Sequence, residues 1–130
     1  VTDSRQRQRG SVSLEAVLLM PVLVATLMTI VQVALYAYAS RLADAAAREG
    51  TRTVRLVGDP DAGRERAATF LSRHGSKIVL GPVVDAQATA GVASVMVRGQ
   101  AVSVIPGLRL AVTARSSGPV EAFVPVGGGR

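Results

Sequence analysis

From Ala16 to Ala39 the chain runs for twenty-four residues without a charge, and Thr26, Thr29 and Gln32 are the polar positions in that run. At about 1.5 Å rise per residue, a helix of this length crosses a hydrocarbon core of roughly 30 Å with length to spare. The run is longer than the apolar region of an ordinary secretory signal, although Ala37-Tyr38-Ala39 fits the small-x-small pattern of a signal cleavage site. Beyond it, Ser40 to Glu49 is rich in strong helix formers. Leu35, Leu42, Ala45, Ala46 and Glu49 fall at helical spacings, and Asp44 with Arg48 forms an i,i+4 pair. Neither glycine nor proline occurs between Pro21 and Gly50. The pattern predicts one continuous helix from about Ser13 to about Val54, its first half in lipid and its second half amphipathic and outside lipid.

A second helix is predicted over Pro60–His74. Asp59 is suited to the N-cap and Pro60 to the first helical position, while Gly75 suits a left-handed C-cap. Ala67, Phe70, Leu71 and His74 would share one face, and Gly63 weakens the first turn. After Gly75 the hydrophobic period changes to two. Ile78–Val84 reads as a strand, broken or edged by Gly81-Pro82. Val92–Val104 reads as another, its apolar phase passing from Val95 and Val97 to Val102 and Val104, which predicts a bulge or bend near Gly99. Ile105-Pro106-Gly107 is a turn signal, and Leu108, Leu110, Val112 and Ala114 alternate with polar residues as a half-buried strand. Ser116-Ser117-Gly118-Pro119 reads as a turn, Val120 to Val126 as a last short strand and 127–130 as a flexible tail. The expected fold is α+β and pilin-like: a long transmembrane and amphipathic helix, a second helix, and a small antiparallel sheet of three or four strands. Its expected units are a basic leader (1–10), the long helix (11–57, transmembrane over 16–39), a small globular domain (58–126) and the tail.

Composition narrows the chemistry. The 130 residues are 48% hydrophobic but only 3% aromatic, with a formal net charge of +6. The arginines are dispersed and almost without aromatic interleaving, which favours solvated faces and anionic lipid over nucleic acid. Cysteine is absent and His74 is the sole histidine, so thiolate chemistry and His-cluster metal sites are excluded. The carboxylates have no spacing that specifies catalysis, and Ser116-Ser117 has no base nearby in sequence. We expect no enzyme, catalytic residue, metal or cofactor. Arg5, Arg7 and Arg9 favour a cytoplasmic N-terminus, with the domain on the outer side of the membrane.

The most informative residues precede the apolar run. Glu15 stands one residue outside it, and Gly10 lies five residues earlier. Helix N-termini attract carboxylates. A capping box, however, would need Ser or Thr where Val12 stands. Pro21 removes one backbone donor inside the helix and predicts a kink or loosened turn, harmless in itself or a bend that lets the helix leave the bilayer and pack with neighbours. The basic leader ending in Gly10, with Glu15 five residues later in Gly10-Ser11-Val12-Ser13-Leu14-Glu15 and the apolar helix after it, resembles the class III signal of type IV pilin-like proteins. With Tyr38-Ala39-Ser40-Arg41 and Ala45-Ala46-Ala47-Arg48-Glu49-Gly50-Thr51-Arg52, the resemblance is to the TadE-like family, minor pilin-like proteins of tight-adherence (Flp) pilus systems, over about residues 10–52.

That resemblance implies several things. A prepilin peptidase would cut between Gly10 and Ser11, making Glu15 the fifth mature residue, paired with the terminal amine of a neighbouring subunit. Partners would be other pilin-like subunits, the pilus assembly platform and the lipid bilayer of a bacterial inner membrane. A major Flp pilin is much shorter and usually has Tyr after the motif glutamate, where this chain has Ala16. A minor or assembly role fits better than bulk filament subunit. Two other readings remain at this stage: an uncleaved, single-pass anchored domain that binds the envelope, and a secreted domain starting at Ser40.

Overall fold

The computed structural model describes the backbone of residues 4–121 and the side chains of 12–121. The order is α1 (Ser4–Val57), α2 (Pro60–His74), β1 (Val79–Thr89), β2 (Val92–Ala101) and β3 (Leu110–Pro119). The fold is α+β, a long apolar N-terminal helix with a second helix and a three-stranded antiparallel sheet of order β1-β2-β3. The expected strand over Val120–Val126 and the tail 127–130 lie, beyond Glu121, outside the described residues.

Helix α1 has 54 residues, hence a length of about 80 Å. It begins at Ser4 rather than near Ser13 and is not interrupted at Pro21. Its second half carries the core. Ala39, Ala43, Ala46, Ala47 and Val54 are fully buried, spaced so that one stripe faces the rest of the domain. Small side chains along that stripe let the sheet approach closely, where Ala93, Val95, Val97, Val112 and Ala114 close the core.

Helix α2 keeps its predicted bounds because its caps are local. Asp59 accepts a hydrogen bond from the Asp61 N–H at 2.9 Å, and Pro60 opens the helix. Gly75 is not left-handed: its φ is −136°. It packs closely: a Cβ there would lie 3.1 Å from Leu42 Cδ1, the end of a flexible side chain. Gly63 is buried where α2 crosses α1. A Cβ on Gly63 would come within 2.2 Å of Val54 Cγ2, and one on Gly50 within 2.9 Å of the Gly63 carbonyl oxygen. The helices touch backbone to backbone at these two glycines. Of the expected face, Ala67 and Leu71 are buried and Phe70 half-buried, while His74 is exposed and stacks on Phe70.

The sheet corrects four expectations. The irregularity lies in β1, between Leu80 and Val83, where Gly81-Pro82 faces the single residue Gly99 of β2. It flips the phase of β1, so that Val79 and Ala86, seven positions apart, both reach the core. β2 keeps one phase through Ala93, Val95, Val97 and Ala101 and ends there; Val102 and Val104 belong to the following loop. β1 continues to Thr89 and turns through Ala90 and Gly91, both at positive φ, as a two-residue hairpin requires. Ser116–Pro119 is strand, not turn, paired with Val95–Val92. Cross-strand pairing and two contacts from α1 override the local turn preference there. Pro119 is tolerated at the end of an edge strand.

Gly63→Ala tests the glycine contact. In an exposed helix interior this change gains up to about 1 kcal/mol. Here the clash with Val54 is expected to lower stability by about 1–3 kcal/mol. The penalty should shrink in a Val54→Ala background, read from thermal unfolding of the full chain in detergent.

Candidate functional site

The candidate functional surface is α1 itself, in two parts joined at Gln32. Over Val12–Val31 every residue is exposed, including Leu14, Leu18, Leu23, Leu27 and Ile30. Among the described residues, α1 is the one helix long and apolar enough to cross a membrane. Its hydroxyls are internally satisfied. Thr26 Oγ1 donates to the Val22 carbonyl and Thr29 Oγ1 to the Ala25 carbonyl, each at 2.8 Å. A helix surface in lipid needs such pairing, because no water is available to its polar groups.

Gln32 is different. It is 3% exposed in the middle of an exposed apolar helix. Its Nε2 donates to the Val102 carbonyl at 3.3 Å, and its Oε1 accepts from the Val104 N–H at 2.9 Å. Ser103 Oγ lies 3.0 Å from the same oxygen. The side-chain amide thus pairs like a backbone amide with the loop that follows β2. Sequence reasoning noted Gln32 only as a polar interruption. Its partners lie some seventy residues away, and the available signal was an amide in a run that otherwise tolerates only hydroxyls.

The other chemistry-bearing residues are spread along α1. Glu15 is exposed. The ion pairs among the described residues are Arg55–Glu121, Arg64–Asp61, Arg66–Glu49 and Arg98–Asp85, none of which involves it. Gly10, Ser11 and Pro21 lie on the same helix, and the Gly10–Ser11 bond is within it. The structure does not bring these four positions together within one chain.

The stretch Ala45–Arg52 forms the seat of the domain. Ala46, Ala47, Gly50 and Thr51 are buried, and the Thr51 hydroxyl lies 2.8 Å from the Ala47 carbonyl oxygen and 3.1 Å from that of Ser116 in β3. Glu49 Oε1 accepts from Arg66 Nε and Nη2 of α2, at 3.0 and 2.9 Å. One turn on, Arg55 Nε donates to the Pro119 carbonyl at 2.8 Å. Arg48 and Arg52 line an open groove with Arg41 and Phe70. Among the described residues no group of His, Cys, Asp or Glu is arranged to hold a metal ion.

Gln32→Leu should leave the sheet folded but free the loop. Amide hydrogen exchange is expected to rise at Val104, whose N–H loses its acceptor, while β2 and β3 stay protected. The loss in stability should be about 1–3 kcal/mol, the cost of leaving buried polar groups unpaired.

No curated protein and no solved structure shows a match to the chain. A family model described as TadE-like protein matches residues 10–52. The matched stretch takes in Gly10, Ser11, Glu15 and Pro21, the exposed apolar surface and the seat residues through Arg52. Over this N-terminal region, about a third of its length, the chain is similar to the TadE-like proteins, a family associated with tight-adherence pili.

Proposed function

We propose that the protein is a membrane-inserted minor pilin or pseudopilin, a structural subunit that takes part in assembling a tight-adherence type pilus or secretion filament. The observation that carries this is the TadE-like match over a helix whose exposed surface is apolar for a membrane's thickness. On this reading α1 anchors the chain as a single pass in the cytoplasmic membrane. The arginine-rich N-terminus stays inside and the domain beyond residue 57 stands outside.

A prepilin peptidase removes residues 1–10 by cutting between Gly10 and Ser11. Glu15 is then the fifth residue of the mature chain. Placed among apolar helices, its carboxylate requires a cation, and the terminal amine of a neighbouring subunit supplies one. An unpaired charge there is costly enough to set the register between subunits. Pro21 leaves one carbonyl in the preceding turn without its helical donor and gives the helix a place to bend as it moves from bilayer to filament. The family is structural, and the proposal assigns no catalysis to the chain.

One observation favours a second reading, an uncleaved anchored domain that binds envelope material. The Gly10–Ser11 bond lies within α1, and a helical bond must open before a peptidase can reach it.

Co-expression with a prepilin peptidase, followed by N-terminal sequencing and intact mass, decides between them. Loss of residues 1–10 with Ser11 as the new terminus is expected; an uncut chain removes the processing step and leaves the anchored domain. A second measurement addresses Glu15. Glu15→Ala should still enter the membrane fraction but lose pilus assembly, and normal piliation would sink the pairing role.

A further inference from the structure

The loop between β2 and β3, residues 102–109, lies beside α1 at a level that the helix rise fixes. If Glu15 marks the inner edge of the hydrocarbon, a 30 Å core of about twenty residues reaches from Ala16 to about Leu35. Gln32 lies about three residues, or roughly 5 Å, inside that outer edge. Gln32 is the residue that holds Val102 and Val104. Tilting the helix moves the boundary further along α1 and leaves the loop no shallower. The exposed rings of Tyr36 and Tyr38 mark the same zone, where tyrosine is favoured at the headgroups.

The loop is built for that place. It exposes Val104 (39%) and Leu108 (36%), with Ile105 half-buried between them and Arg109 exposed beside them. Four of its backbone N–H groups are paired within the protein, which lowers the cost of meeting the acyl–headgroup boundary. The Val102 N–H donates to the Ile78 carbonyl, and the Leu108 N–H to the Ile105 carbonyl. The Ile105 N–H donates to Ser103 Oγ, and the Val104 N–H to Gln32. Pro106 has no N–H to satisfy.

We infer that this loop is a second membrane contact. Val104, Ile105 and Leu108 seat in the acyl–headgroup boundary of the outer leaflet, and Arg109 reaches the lipid phosphates. The Gln32 contact then fixes the loop to the anchor, so the domain stands on the bilayer in one orientation instead of swinging on the helix. This rests on α1 being a membrane-spanning helix.

The chain has no tryptophan, so single substitutions give single indoles. The full chain is reconstituted in phosphatidylethanolamine–phosphatidylglycerol vesicles whose acyl chains carry bromine, a short-range quencher. Val24→Trp, in the middle of the span, should be strongly quenched. Leu56→Trp, at the far end of α1, should not be. Leu108→Trp and, independently, Val104→Trp should fall between them, with emission shifted to the blue of Leu56→Trp. If both loop variants match Leu56→Trp while Val24→Trp is quenched, the loop contact is wrong and the spanning helix stands. If Val24→Trp is unquenched, the spanning reading fails and the loop inference falls with it.

Discussion

The domain depends on two glycines that let two helices meet without side chains between them. Gly50 and Gly63 bring the backbones of α1 and α2 into contact, and the positions of the other parts follow. With α2 held this close, Leu71 and Ala67 can reach the stripe of alanines on α1. The sheet then covers the adjacent face of that stripe, where Val95 approaches Gly50 itself. A side chain larger than hydrogen at either glycine must displace Val54 or a carbonyl group. Protein interiors are packed too densely to absorb that displacement cheaply. The core is correspondingly made mostly from Ala and Val, with Leu42 and Leu71.

The same helix has to satisfy two surroundings. From Ala16 to Val31 its surface is almost wholly apolar and exposed on all sides, as a lipid-facing helix requires; from Ala39 onward one stripe is protein core and charged residues lie on the exposed side. The change happens at Gln32, the one amide in the run. An unpaired amide at that depth would be costly. Its pairing with Val102 and Val104 converts that cost into a fixed point between anchor and domain. Thr51 and Arg55 do comparable work further along, each bonding a backbone carbonyl of β3. Helix and sheet are thus stitched together by side chains of α1 that bond to main chain, at one end near the anchor and at the other near the tip.

What could be read from the sequence was local. The bounds of α2 follow from Asp59 and Pro60 at its start and Gly75 after its end, and the apolar run of α1 needs no partner to be recognised. What could not be read depended on distant partners. The bulge shows in the sequence as a disturbed phase near Gly99, and Gly99 is indeed beside it. The extra residue, however, belongs to the opposite strand at Gly81-Pro82, which only the pairing register reveals. Ser116 to Pro119 has turn composition but is held extended by β2 and by the donors of Thr51 and Arg55. Gly63, read as a weak point of α2, is where α2 is most constrained. For the candidate site, Glu15 and Pro21 were legible as anomalies against an apolar helix, whereas Gln32 was not, because its meaning lies in a loop some seventy residues away.

The extent of the family match bears on what kind of unit the N-terminal region is. It ends at Arg52, well past the apolar run, and so includes Ala46, Ala47, Gly50 and Thr51. An anchor alone would need none of these, since membrane insertion depends on the apolar stretch and its flanking charges. Their presence within the matched region makes it an anchor together with its docking face. That face receives the rest of the domain through small side chains, bonds to backbone and the Glu49–Arg66 ion pair with α2. A helix of this design can hold a sheet of another sequence as long as it presents a carbonyl to Thr51 and lies close enough for glycine and alanine to fill the space.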